Sequence, residues 1–282
     1  MVSRGLREML VEGPCFGTFL KLARPEIVDV LALAGFDFVI CDMEHAQMAE
    51  QEARSVIRAC AAAGLPVVVR LPDPSQGLVN RLLEAGATGV QLPRLRCAQD
   101  TRQLYSMMHF PPLGTRSVGN ANRLAGYGTV PISEYLELAN SRVLTVGQFE
   151  TRDIDQPSDP MFDGLDVAFI GPTDLSVDFG VAGKSDAPVV RSRVAEIEGA
   201  AARTGTVMGA FVSSVDAARR CVEAGYRYLA VSGDVTLLSK AASGLVGELE
   251  ALREQFTPSV GSSMAAAATA VNTEEVGRVR SR

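Results

Sequence analysis

The chain has 282 residues, 47% of them hydrophobic and 21% charged, which supplies apolar surface for a large core and is not the composition of a disordered chain. Its formal net charge of −6 speaks against nucleic-acid and anionic-membrane partners, both of which need clustered positive charge, so small molecules are the expected partners. Five widely spaced cysteines with no CxxC pair argue against a zinc centre or a redox disulfide and for a reducing cytoplasm. The first residues mix charges into their apolar positions, and no segment reaches the roughly 18 apolar residues of a membrane span.

In chain order, short apolar runs rich in β-branched residues alternate with longer amphipathic segments. Strands are expected at 16–21, 36–42, 66–71, 89–92, 143–149, 165–170, 207–211 and 228–231. Between them, apolar residues recur at three- and four-residue spacing over 25–34, 51–63, 76–85, 190–204 and 214–224, the mark of helices. Gly35, Gly64, Gly86, Gly205 and Gly225 stand at their stops. Runs such as VVVRL and VAFIG are apolar throughout, as in strands buried on both faces, and helical crossovers between them imply a parallel sheet.

Eight such units in roughly 250 residues favour a single closed (β/α)₈ barrel, a TIM barrel, over an open doubly wound sheet. No GxGxxG follows the first strand, which weakens the dinucleotide-binding form of the open sheet. A long segment from Phe110 to Asn140, rich in Gly, Asn and Arg, interrupts the rhythm between the fourth and fifth strands and has the length of a functional loop. Residues 1–256 are expected to form the barrel, and 257–282, which lack apolar periodicity, a disordered tail.

Reactive groups of parallel barrels gather at the carboxyl ends of the strands. The polar exceptions to the apolar pattern fall there: Asp42, Glu44 and His45 after the second strand, Arg70 at the end of the third, Glu150 after the fifth, and Asp174 in the Gly171–Pro172–Thr173–Asp174 turn after the sixth. Each has an ordinary structural explanation alone, and their coincidence at one rim is the signal. Two carboxylates with open positions suit a hard divalent cation, Mg²⁺ or Mn²⁺, better than zinc. Arg70 suits the carboxylate of a 2-keto acid. His45 is the expected proton carrier, with Asp42 fixing its tautomer. A Schiff-base lysine is disfavoured because Lys21 lies in a charged LKLARPE stretch and Lys184 and Lys240 lie off the strand ends.

These residues, in GTFLKLARPEIVDVLALAGFDFVICDMEHA, VVVRLP, FPPLGTRSVG, QFET, FIGPTDLSVDFG and VSGDVTLL, resemble the HpcH/HpaI aldolase family of metal-dependent class II pyruvate aldolases. The resemblance implies a lyase that reversibly cleaves a hydroxylated 2-keto acid to pyruvate or a related keto acid and an aldehyde through a metal-stabilised enolate. It implies proton transfer by His45 oriented by Asp42, carboxylate binding by Arg70, and Mg²⁺, Mn²⁺ or Co²⁺ held by Glu150 and Asp174. Gly171, Pro172, Thr173 and Phe19 would line the substrate site; Phe19 stands where many relatives carry tryptophan. Family members are homo-oligomers up to the hexamer that exchange a helix, so Arg116 and Arg123 would serve either the substrate's far carboxylate or a subunit contact. The same enolate chemistry with an acyl-CoA acceptor is the alternative, for which Arg94 and Arg96 are the hint, and a barrel without chemistry is the non-enzyme reading.

Overall fold

A computed structural model describes residues 5–154 and 158–257. Eight parallel strands close in sequence order: β1 (Cys15–Leu20), β2 (Phe38–Asp42), β3 (Val67–Arg70), β4 (Gly89–Leu92), β5 (Leu144–Phe149), β6 (Val167–Ile170), β7 (Val207–Val212) and β8 (Tyr228–Gly233), which pairs back onto β1. The helix α1 (Leu6–Glu12) precedes the barrel, and α2 (Pro25–Ala34), α3 (Glu50–Ala63) and α4 (Gln76–Ala85) follow the first three strands. Both α5 (Ala98–Met108) and α6 (Ile132–Arg142) lie between β4 and β5, and α7 (Asp159–Phe162) precedes β6. Further along come α8 (Pro172–Asp178), α9 (Pro188–Thr204), α10 (Val215–Glu223) and α11 (Asp234–Phe256). The expected (β/α)₈ barrel is the fold.

Two differences from the expected boundaries have local causes. β2 begins at Phe38 rather than 36, because the Asp37 carboxylate turns to accept the amide N–H of Phe16 at 2.7 Å and ends the preceding turn. β8 runs past Val231 to Gly233 through Ser232, whose φ is 61°.

Strand alternation sends Phe38, Ile40, Val68, Val146, Phe169 and Tyr228 into the barrel, while Val39, Cys41, Val67 and Val69 pack outward under the helices. Each fully buried aliphatic or aromatic side chain contributes about 1.5–3 kcal/mol of transfer free energy. Gly17 is what lets the Phe38 ring fill the interior, since a Cβ on Gly17 would stand 2.5 Å from that ring. Phe38 in turn stacks on Tyr228 with centroids 4.3 Å apart. The interior is therefore a packed core, and a ligand has room only at its mouth.

The long segment after α5 folds on itself. Phe110, Ala125, Tyr135 and Ala139 form a separate small cluster, and the Asn122 side chain donates to the Tyr135 hydroxyl at 3.1 Å while accepting the Ala125 amide at 3.0 Å. The chain divides into two compact units, Met1–Thr236 and Leu237–Arg282. That division falls inside α11 and ahead of the boundary expected at 256; of the second unit, the described part is the remainder of α11 with Thr257. The expected tail, from 258 onward, lies outside the described residues. Among the described residues no helix is long and apolar enough to cross a membrane, and no disulfide joins the cysteines.

Candidate active site

Inward positions that are aliphatic deep in the barrel become charged at the last residues of the strands. Asp42 and Arg70 are register partners at the ends of β2 and β3. Arg70 donates from Nε to Asp42 Oδ1 at 2.9 Å and from Nη2 to Oδ2 at 2.7 Å, a two-pronged charge-assisted pair. Its Nη1 lies 3.3 Å from Glu44 Oε2, and its guanidinium rests 4.7 Å above the Phe19 ring. Both partners are buried, Asp42 completely. Burial alone would raise the Asp42 carboxyl, but the hydrogen bond and charge of Arg70, with the amides of His45 and Glu44, hold it below its ordinary value. Two of the five guanidinium N–H groups serve Asp42, and Arg70 still lines a cavity of about 260 Å³.

The expected partnership of Asp42 with the His45 ring is not formed. Oδ1 of Asp42 accepts the amides of Glu44 and His45, both at 3.1 Å, besides Arg70, and Lys21 Nζ stands 3.4 Å from Oδ2. Those contacts fill the carboxylate's acceptor positions, so Asp42 positions the histidine through its backbone. The ring instead stands near Glu44, whose Oε2 lies 3.8 Å from His45 Nε2. The imidazole itself is exposed and lines a second, larger cavity of about 560 Å³ that shares Lys21, Gly233 and Thr236 with the first.

Glu150 and Asp174 come together across Gly171. A Cβ on Gly171 would stand 2.8 Å from Glu150 Cβ, 3.0 Å from its Oε2 and 3.6 Å from Asp174 Oδ2, so only glycine leaves this gap open. Glu150 Oε1 accepts the Arg94 amide at 2.9 Å, Gln148 donates to Oε2, and Gln91 donates to Gln148. The Glu150 carboxyl is pushed up to about 7: burial raises it most and the Asp174 and Glu44 carboxylates add to the rise, against the downward pull of Gln148 and the Arg94 amide. Asp174 lines the smaller cavity with Gly171, Pro172 and Thr173.

This donor set fits a divalent cation. Four carboxylates, Asp42, Glu44, Glu150 and Asp174, share the rim with two fixed cations, Arg70 and Lys21. Glu44 Oε2 is buried and accepts no hydrogen bond. Among the described residues no three His, Cys, Asp or Glu side chains form a closed metal centre. Asp174 faces the smaller cavity and Glu150 stands beside it across Gly171, and two hard oxygen donors so placed leave positions for water and substrate.

Arg116 is not at this rim. It is buried in the inserted segment with its guanidinium 4.4 Å from the Phe110 ring, and it lines neither cavity. Its distance from any strand end left its position unconstrained in the sequence, and the insertion's own cluster claimed its long stem. Sequence reasoning also passed over several residues that the fold brings in. Lys21 immediately follows β1 and lines both cavities, and its place two residues beyond inward-facing Phe19 was the available signal. The same period-two signal marks Gln148 ahead of Glu150 and Ser232 beyond Ala230.

A sequence model of the HpcH/HpaI aldolase/citrate lyase family matches residues 15–241. A hydroxypyruvate/pyruvate aldolase of Paraburkholderia phytofirmans is 33% identical over 244 residues, covering 84% of this chain and 93% of that protein. A 4-hydroxy-2-oxo-heptane-1,7-dioate aldolase of Escherichia coli is 32% identical, covering 88% and 95%. The crystal structure of an HpcH/HpaI aldolase from Desulfitobacterium hafniense superposes with a TM-score of 0.82 at 31% identity, covering 87% of this chain and 96% of the other.

Proposed function

Because the chain belongs to the HpcH/HpaI aldolase/citrate lyase family, we propose that it is a divalent-cation-dependent carbon–carbon lyase that reversibly cleaves a hydroxylated 2-keto acid into pyruvate, or a related keto acid, and an aldehyde. The observation that carries this reading is the Glu150–Asp174 pair brought together across Gly171, beside a cavity that Asp174 and Arg70 both line. Glu150 and Asp174 would hold the cation, Mg²⁺ by preference for a hard donor set and Mn²⁺ or Co²⁺ otherwise. When bound, it supplies Lewis acidity to the keto-acid oxygens.

The chain's own residues do the rest. Arg70, preorganised by Asp42 and seated on Phe19, binds the substrate carboxylate with its remaining N–H groups. Gly171, Pro172 and Thr173 wall the keto acid in, and Phe19 and Phe169 exclude water from that side. In cleavage His45 takes the proton from the C4 hydroxyl oxygen as the C3–C4 bond breaks. The bonding pair stays with the keto-acid fragment, which then gains a proton at C3, and the other fragment leaves as the aldehyde. Addition runs the same steps in reverse.

An acyl-CoA acceptor would want a basic groove after β4, and there Arg96 is turned to Asp100, whose Oδ2 also accepts its amide at 3.0 Å. The aldehyde reading is preferred for that reason. Self-assembly into a homo-oligomer, hexamer or smaller, is supported by the exposed Leu238, Leu245, Val246, Leu249, Leu252 and Phe256 of α11. A cytoplasmic location accords with the odd, widely spaced cysteines.

The test is cleavage and addition with pyruvate across a panel of aldehydes, with Mg²⁺ and after stripping with EDTA. Activity appears with the cation and vanishes without it; activity that survives stripping contradicts the cation's part. His45→Ala lowers kcat by about a hundredfold or more, the usual worth of a positioned proton carrier, while pyruvate binding followed by calorimetry persists. Parental turnover in that variant removes His45 from the reaction.

A further inference from the structure

The strands that supply the anion-binding and carboxylate groups occupy only part of the ring. Arg70 ends β3, Glu150 follows β5 and Asp174 lies in α8 after β6. The arc formed by β7, β8 and β1 lines the same cavity with Phe211, Ser232, Gly233 and Phe19. With the carboxylate and keto oxygen of a keto acid given to the first set, this arc is the wall of the cavity left for its C3 end.

Three observations single out Ser232 there. The residue is 7% exposed, and its Oγ is buried with no hydrogen-bond partner. Its φ of 61° lies in the left-handed region, which a residue with a Cβ occupies at a cost and which gathers at functional sites where the surroundings enforce it. The enforcing contacts are those of Asp234: its Oδ2 accepts the amides of Lys21 and Leu22 at 2.9 and 2.8 Å, tying the end of β8 to the end of β1. Between Ser232 and Asp234 stands Gly233, whose missing side chain leaves open space. A Cβ there would meet nothing closer than Phe19 Cβ at 3.4 Å.

A buried hydroxyl without a partner is unfavourable beside a methyl group and is relieved by a group that can both donate and accept. We propose that Ser232 is a specificity-determining residue for the donor: its hydroxyl hydrogen-bonds the C3 hydroxyl of a 3-hydroxy-2-keto acid, the class of hydroxypyruvate, in preference to the C3 methyl of pyruvate. The inference rests on the aldolase reading above. Sites that hydrogen-bond a substrate hydroxyl discriminate against the analogue lacking it more strongly than an apolar pocket discriminates between sizes.

The experiment compares kcat/KM for hydroxypyruvate and pyruvate, with one aldehyde and saturating Mg²⁺, in the parent chain, Ser232→Ala and Ser232→Gly. Glycine removes the hydroxyl and also relieves the left-handed backbone, so that variant keeps the fold. The parent favours hydroxypyruvate, and the hydroxypyruvate-to-pyruvate ratio falls tenfold or more in both variants. A second readout is the rise in thermal midpoint that each donor alone produces: the surplus given by hydroxypyruvate shrinks in both variants to the level given by pyruvate. A ratio within twofold of the parent's in both variants, with turnover intact, overturns the role of Ser232 and leaves the aldolase reading standing. No turnover of either donor by the parent overturns both.

Discussion

Arg70→Ala is expected to lower the unfolding free energy by about 3–5 kcal/mol, the cost of stranding a buried charge, and kcat/KM by on the order of 10³-fold. The two losses share one cause. Asp42 is completely buried and receives both prongs of the guanidinium, and the partly exposed Lys21 ammonium at 3.4 Å is too far and too wet to replace it. Without Arg70 the Asp42 carboxylate must take up a proton or rearrange, and the amides of Glu44 and His45 that it holds lose their anchor. Arg70→Lys restores a charge without the planar fork, so it recovers part of the stability and little of the activity.

The pH dependence carries the same signature. Asp42 titrates below its ordinary value of 3.8 in the folded chain. Its contribution to stability is therefore complete above about pH 4 and is lost as the pH falls through the folded value. In Arg70→Ala that contribution is absent, so the stability gap between parent and variant narrows in acid. Urea unfolding at pH 7 and at pH 3.5, with steady-state kinetics at pH 7, checks all three points. Parental kinetics in Arg70→Lys would contradict the two-pronged role.

Glu150→Gln acts in opposite directions on stability and on function. Burial, Asp174 and Glu44 outweigh the Gln148 and Arg94 hydrogen bonds and raise the Glu150 carboxyl from 4.5 to about 7. Between those values the cation-free native state binds more protons than the unfolded chain does, so its stability falls as the pH rises from about 4.5 to about 7 and levels off above that. At about 1.4 kcal/mol per pH unit, the ionised carboxylate costs the cation-free protein up to about 3 kcal/mol at pH 8. Glutamine keeps the shape without the charge, so Glu150→Gln in EDTA is more stable than the parent at pH 8, by about 1–3 kcal/mol, and differs little at pH 5. Mg²⁺ stabilises the parent and not the variant, because binding only the native state is what shifts the unfolding equilibrium. A Glu150→Gln chain less stable than the parent in EDTA at pH 8 would show that the carboxylate is not strained there.

The barrel and most of its rim were legible in the sequence, for a reason visible at single residues. A charge in the last inward position of an apolar strand breaks a strong pattern, and Asp42, Arg70 and Glu150 do so in FVICD, VVVR and GQFE. What those charges touch is set by register between strands, which a linear pattern does not carry. The pairing of Asp42 with Arg70 therefore displaced the expected Asp42–His45 contact. Arg116 lay in an insertion without periodicity and folded into its own cluster. Lys21 was set aside for its charged neighbours, though its place just past β1 puts it in both cavities. Ser232 lay one residue past the strand expected at 228–231, and the backbone that presents it depends on Asp234 reaching across to Lys21 and Leu22.

Calorimetric titration of Mg²⁺ into the EDTA-stripped full-length chain tests the centre of this account most directly, with Glu150→Gln and Asp174→Asn titrated alongside. The predicted result is one cation per chain in the parent and no measurable binding in either variant, while both variants keep their cooperative unfolding. Parental affinity in either variant would mean that the two carboxylates flanking Gly171 do not hold the cation, and the proposed lyase chemistry would lose its footing.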